Sequence, residues 1–225
     1  MKLLMQLELS KFKITKYVIV AFFIMIAMCF FTTISLFSLE QVQAENYKKA
    51  IWLVTAMILD CYLIYAAMLV SRVIIEEYNK GTIQTLFTYS VKRHKLLLAK
   101  VFLILAVTVF FTVVTEIVCI DFLVIMEPHF GLSLNAFSKA DFYEWVRQFG
   151  WSIVIIVSAV LFIICVGFIK KSTQAVFLTA IGTIFIVQIL ISQDLQFISP
   201  FLGVLILGLM QYSIRRYAYQ TEELK

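Results

Sequence analysis

Three acids sit where an ionised group is costly. Asp60, Glu116 and Asp121 interrupt long apolar runs, and the adjacent pair Glu76 and Glu77 closes another. A charge at the centre of a bilayer costs roughly 2.5–3.5 kcal/mol on insertion scales, so such groups normally face protein or water. Asp60 has two readings. It lines a substrate path or a subunit interface, or it is a protonated or hydrogen-bonded acid tying helices together, with Thr55, Tyr62 and Tyr65 close in sequence. Glu116, further along the next apolar run, is a second candidate for a path or interface. Asp121, near the end of that run, is placed to reach headgroup water.

Other chemistry is excluded by spacing. The nearest approach to a phosphate-cradling loop is Gly167–Ser172, "GFIKKS". It has a Lys-Ser pair but lacks the glycine before the lysine and the spacing such a loop needs. No HExxH occurs, and the two histidines, His94 and His129, are expected on opposite sides of a membrane. A Glu76–Glu77 protease dyad would need histidines at membrane depth to complete it. Cys29, Cys61, Cys119 and Cys165 lie in apolar runs without CxxC spacing, so they read as free buried thiols rather than disulfides or zinc ligands. No catalytic residue and no metal site is expected, and this chain itself should bind no nucleotide cofactor.

The elements that position these residues follow from composition. Of 225 residues, 62% are hydrophobic and only 15% charged, against roughly 45–50% and about 25% in soluble domains. The chain reads as a single all-α membrane domain, 1–225. A span needs about 20 mainly apolar residues, and six are expected: 17–37, 50–70, 96–126, 149–169, 174–191 and 197–214. The third is longer than a bilayer requires, so it tilts or projects. Between the last two, Pro200 breaks any regular helix ladder, and a re-entrant piece is the alternative. The hydrophobic run 17–37 is too long for a cleavable signal core.

Charge orients the bundle. With both termini in the cytoplasm, 15 of the 19 Lys and Arg residues fall on the inner side, as the positive-inside bias requires. The net charge of +5 therefore reads as topology, not as nucleic-acid binding. The N-terminal "LLMQLELSKFKITKY" reads either as an interfacial amphipathic helix or as a frayed basic leader. Phe142, Tyr143, Trp145 and Trp151 suggest that part of the outer segment 127–150 lies at headgroup level as an interfacial helix. Ala175, Thr179, Gly182 and Thr183 place small residues near one face of the fifth span, suiting close helix packing or a homodimer seam.

The most polar long stretch is "EEYNKGTIQTLFTYSVKRHKLLLAK", Glu76–Lys100. In this topology it is the first cytoplasmic loop. The second span continues as helix through 71–79, and Gly81 supplies a left-handed stop. Thr82 caps a short helix in which Ile83, Leu86, Phe87 and Val91 recur at helical spacing. Ser90 caps the next helix, and Lys92, Arg93 and Lys95 mark its headgroup end. Physically, this segment is either a loop resting its apolar face on lipid or a docking knob for a cytoplasmic partner.

Here the sequence resembles the ABC type-2 exporter permeases. The pattern of an acid, Gly-Thr, Leu, Ser, Arg and Lys is carried by Glu76 or Glu77, Gly81, Thr82, Leu86, Ser90, Arg93 and Lys100. Two features depart from the commonest form. Asn79 and Lys80 precede Gly81, and "FTYS" replaces a small-Pro run. The resemblance implies that Glu76–Lys95 is a coupling helix gripped by a separate ABC ATPase, with ATP and magnesium bound there. It also implies two such ATPase subunits, a second permease copy, either identical or related, and a bacterial cytoplasmic membrane as the site. The style is that of small permeases exporting amphipathic peptides, lantibiotics, bacitracin-like antibiotics or phenol-soluble modulins. The contrasting class is a non-transporting immunity or signalling scaffold, or a lipid-modifying enzyme, which a convergent polar cluster at one membrane face would favour.

Overall fold

The computed structural model describes residues 14–41, 47–76, 93–130 and 139–192. Within them the chain is helical: α1 (Ile14–Gln41), α2 (Tyr47–Val70), α3 (Arg93–Phe130), α4 (Lys139–Lys170) and α5 (Thr173–Ser192). Four of these are long and apolar enough to cross a membrane, and α5 is a shorter apolar helix. The expected spans at 17–37, 50–70, 96–126, 149–169 and 174–191 each fall inside one helix. The sixth, 197–214, lies outside the described residues, as do Pro200 and the N-terminal residues 1–13. Helices are what a lipid environment demands, because every backbone polar group must be satisfied within its own segment.

Cross-helix contacts give the helix directions. Tyr65, late in α2, donates its hydroxyl to the carbonyl of Tyr17, early in α1. Thr55, early in α2, meets Glu116, late in α3, and Glu116 meets Ser152 in the first half of α4. Gly167, near the end of α4, lies against Val70 at the end of α2 and Val176 at the start of α5. Successive helices therefore run up and down. One end gathers Lys16, Arg72, Glu76, Arg93, Lys170 and Lys171. The other gathers Asp121, Lys139, Asp141, Glu144 and Arg147.

α2 is the hub, packed against α1, α3, α4 and α5. Its fully buried side chains include Ile51, Ile58, Leu59, Tyr62, Leu63, Leu69 and Val70. α1 is the most peripheral, presenting Phe22, Phe23, Phe30, Phe31 and Ile34 outward. Lipid tails are as apolar as these side chains, so the bundle is held by close packing and interhelical hydrogen bonds rather than by apolar burial alone.

Hydroxyls inside the spans mostly bond back to their own helix. Thr108 donates to the Ile104 carbonyl and Thr112 to that of Thr108, each at 2.8 Å. Ser158 does the same to Val154, and Thr183 to Ala180. This back-bonding hides a donor from lipid without breaking the helix.

Three expectations can be compared with these helices. The second span was expected to continue as helix through 71–79, and it does so as far as Glu76, with 77–79 outside the described residues. At Ser71–Ile75 it widens into a π turn, closed by the Glu76 amide bonding the Ser71 carbonyl, and Val73, Ile74 and Ile75 are buried. The extra residue of a π turn shifts their register, so three consecutive apolar side chains turn inward against α4 and α5. Second, the expected interfacial helix is no separate element among the described residues. Positions 139–150 form the first turns of α4 itself, because a nucleated helix propagates cheaply. The Glu144–Arg147 ion pair at 2.7 Å and Asp141 in the first turn support that start. Third, the small-residue face of the fifth span is only partly packed within the bundle. α5 buries Val176, Ala180, Thr183, Val187 and Ile191, whereas a Cβ at Gly182 would meet nothing within 4 Å.

Candidate functional site

The expected docking segment is framed by described residues. α2 and its π turn end at Glu76, and α3 begins at Arg93. Glu76 is bonded by Arg72 one turn earlier, N···O 3.3 Å, in an exposed pair worth little in energy. Glu77, Gly81, Thr82, Ile83, Leu86, Phe87 and Ser90 lie outside the described residues. Lys100, the last residue of the motif, is 4% exposed two turns into α3. A lysine that deep is a structural element of this end of the bundle rather than a surface charge.

That end is built for close approach. A Cβ on Gly167 would stand 3.0 Å from Val70 Cγ1 and 3.3 Å from Val176 Cγ2. α4 then ends at Lys170, and Lys171 takes a positive φ of 47°, with its amide bonded to the Gly167 carbonyl at 3.0 Å. This left-handed residue reverses the chain into α5 within two residues. It replaces the phosphate-loop resemblance of "GFIKKS" with a helix stop and restart.

The intramembrane acids are placed differently from each other. Glu116 is 1% exposed. Thr55 donates to its Oε1 at 3.2 Å, and Ser152 Oγ lies 2.7 Å from its Oε2. One turn of α3 thus joins α2 and α4 through a single carboxyl group. Beside it, Tyr62 and Thr115 share a hydrogen bond at 2.6 Å. Thr108, Thr112 and Thr115, all fully buried, run along the same side of α3. The described partners of Glu116 tie α2 and α4 to α3 through its carboxyl group. Sequence reasoning missed Thr115 and Ser152, the partners that define it. Their signal was only the spacing of Thr108, Thr112, Thr115 and Glu116 along one helix side.

Asp60 is partly exposed, and its Oδ2 accepts from Gln188 Nε2 of α5 at 2.6 Å. Its Oδ1 is a buried atom without a hydrogen-bond partner among the described residues. The neighbours anticipated from sequence are not its partners: Thr55 bonds Glu116, Tyr62 bonds Thr115 and Tyr65 bonds Tyr17. Gln188, 128 residues away, carried no sign of this contact in the sequence. Asp121 is exposed in the last third of α3.

The remaining sequence expectations can be placed. His94 and His129 stand at opposite ends of α3, roughly 50 Å apart along the helix at about 1.5 Å per residue. None of the four cysteines is in a disulfide. Cys29 and Cys119 bring their sulfurs within 3.9 Å of one another between α1 and α3. Among the described residues, no group of three or more His, Cys, Asp or Glu is placed to hold a metal.

Four helices long and apolar enough to cross a membrane describe a multi-pass membrane protein. A protein-family model, ABC-2 family transporter protein, matches residues 4–186, and the chain belongs to that family. Neither a curated protein nor a solved structure matches it. Members of the family are membrane components of ABC transporters, so the partner implied is an ABC ATPase and the medium a lipid bilayer.

Proposed function

We propose that this chain is the permease subunit of an ATP-driven exporter, coupled through residues 76–95 to a cytoplasmic ABC ATPase. The observation that carries the proposal is the family match over residues 4–186, which spans the whole Gly-Thr/Leu/Ser/Arg segment. The described residues that flank the segment, Glu76 and Arg93, stand at the bundle end that also holds Arg72, Lys170 and Lys171. That end is taken as cytoplasmic by the positive-inside bias. Both termini and the 170–173 turn then share the ATPase side.

The working unit is two ATPase subunits and two permeases, the second permease being identical or closely related. ATP and magnesium stay on the ATPase. The cargo is an amphipathic peptide or antibiotic-like molecule, moved outward from the cell or the membrane, in a bacterial cytoplasmic membrane. The strong outward apolar faces of α1 and α5 suit a bundle in which such a cargo partitions beside it in lipid.

The test is reconstitution of the full chain with its co-purified ATPase into inside-out vesicles containing a dye-labelled amphipathic peptide in the membrane. ATP-dependent accumulation of the peptide in the lumen is expected. An ATPase complex with normal ATP hydrolysis and no flux would defeat the peptide assignment. Failure to bind any ABC ATPase would defeat the permease assignment and favour the scaffold class.

A further inference from the structure

One protonation state of Glu116 makes every hydrogen-bond contact around it at once. Ser152 has a single hydroxyl proton, and two acceptors lie within reach of its Oγ: Glu116 Oε2 at 2.7 Å and the Phe149 carbonyl at 2.9 Å. One O–H donates one strong hydrogen bond. If Glu116 is a carboxylate, the two acceptors compete for that proton and the shorter contact leaves the other unmade. If Glu116 carries the proton on Oε2, each contact is made once. Oε2–H donates to Ser152 Oγ, and Ser152 O–H donates to Phe149. Thr55 donates to Oε1 in either case.

The surroundings point the same way. The residue is 1% exposed, between α2, α3 and α4. No cationic side chain among the described residues bonds to it. Arg147 on α4 is paired to Glu144 and largely exposed. On α2 the titratable group on this side is Tyr62, bonded to Thr115, whereas Asp60 is turned to Gln188 of α5. On α3 Cys119 follows one turn later, facing Cys29 of α1, and Asp121 is exposed. A buried charge without a counter-ion is unfavourable, and the group neutralises instead.

We infer that Glu116 is a proton-binding site: a neutral carboxylic acid at neutral pH that donates to Ser152 and accepts from Thr55, pinning α2, α3 and α4 together. It acts as a positioning residue, through hydrogen bonds that only the protonated form completes. The inference does not depend on the cargo or on the ATPase.

Infrared difference spectroscopy of the full-length protein in lipid tests it. A carboxylic C=O stretching band is expected at neutral pH, moving when glutamate is 13C-labelled. The band disappears in Glu116→Gln, persists in Asp60→Asn and shifts in frequency in Ser152→Ala, where the acid loses its acceptor. Glu116→Gln retains assembly, because its amide N–H replaces the donated O–H and its carbonyl still accepts from Thr55. Absence of a glutamate carboxylic band at neutral pH, or a band unmoved by Glu116→Gln or Ser152→Ala, would overturn the assignment. Should Glu116→Gln not accumulate, the 13C shift and the Ser152→Ala shift in otherwise wild-type protein decide it alone.

Discussion

Gly167 offers a quantitative check on how α2, α4 and α5 meet. A methyl added there lands 3.0 Å from Val70 Cγ1 and 3.3 Å from Val176 Cγ2, and both valines are fully buried with nowhere to retreat. Relaxed carbon contacts lie near 3.5–4.0 Å, so Val70 must yield by roughly 0.5 Å or more. Overpacking of this kind costs about 1–3 kcal/mol, and replacing Gly with Ala inside a helix recovers about 0.5–1 kcal/mol. Gly167→Ala should therefore destabilise by up to about 2.5 kcal/mol net. Val70→Ala removes the obstructing methyl, so adding Gly167→Ala in that background should be neutral or mildly stabilising. The double-mutant cycle should show a favourable coupling of about 1–2 kcal/mol. Reversible unfolding of the four proteins in mixed detergent–SDS micelles measures it. Additivity within about 0.3–0.5 kcal/mol, or a Gly167→Ala protein more stable than wild type with Val70 intact, would refute the packing described.

Lys171→Gly removes a side chain from a left-handed position and should stabilise by about 0.5–1 kcal/mol in the same assay. Glu116→Ala strands the Thr55 hydroxyl and removes the donor to Ser152 Oγ, and should cost about 1–3 kcal/mol. Asp60→Asn keeps an oxygen for Gln188 to bond, so ATPase-complex assembly should be normal while peptide transport falls; loss of membrane insertion would instead make Asp60 a purely structural acid. Single cysteines at 171 and 139 should label with an impermeant thiol reagent from the cytoplasmic and outer faces respectively; the reverse pattern would invert the topology.

The apolar runs carried most of the architecture. A hydrophobic stretch must form a helix in lipid, so 17–37, 50–70, 96–126, 149–169 and 174–191 were legible from length alone, with helices overrunning them by a few residues at most ends. Helix continuity was less legible. The stretch from Lys139 to Gly150 is polar enough to resemble a loop, yet nothing in it stops a helix, and it became the start of α4. The π turn at Ser71–Ile75 leaves no mark in composition, because it is a change of register rather than of residue type. Asp60 and Glu116 were identifiable as costly groups, but their partners were not. Gln188 and Ser152 are ordinary polar residues until the fold places them 2.6 and 2.7 Å away. Neighbours in sequence were poor guides to those partners, since Asp60, Tyr62 and Tyr65 point to three different helices.

The central claim is that residues 76–95 are the handle by which an ABC ATPase grips this permease. It is tested most directly by purifying the tagged full-length chain with its ATPase and comparing it with the triple variant Glu77→Ala, Leu86→Asp, Arg93→Ala. The variant should insert and fold normally by thermal unfolding, yet recover little ATPase and fail to stimulate ATP hydrolysis. A folded triple variant that binds and stimulates the ATPase as wild type does would contradict the claim.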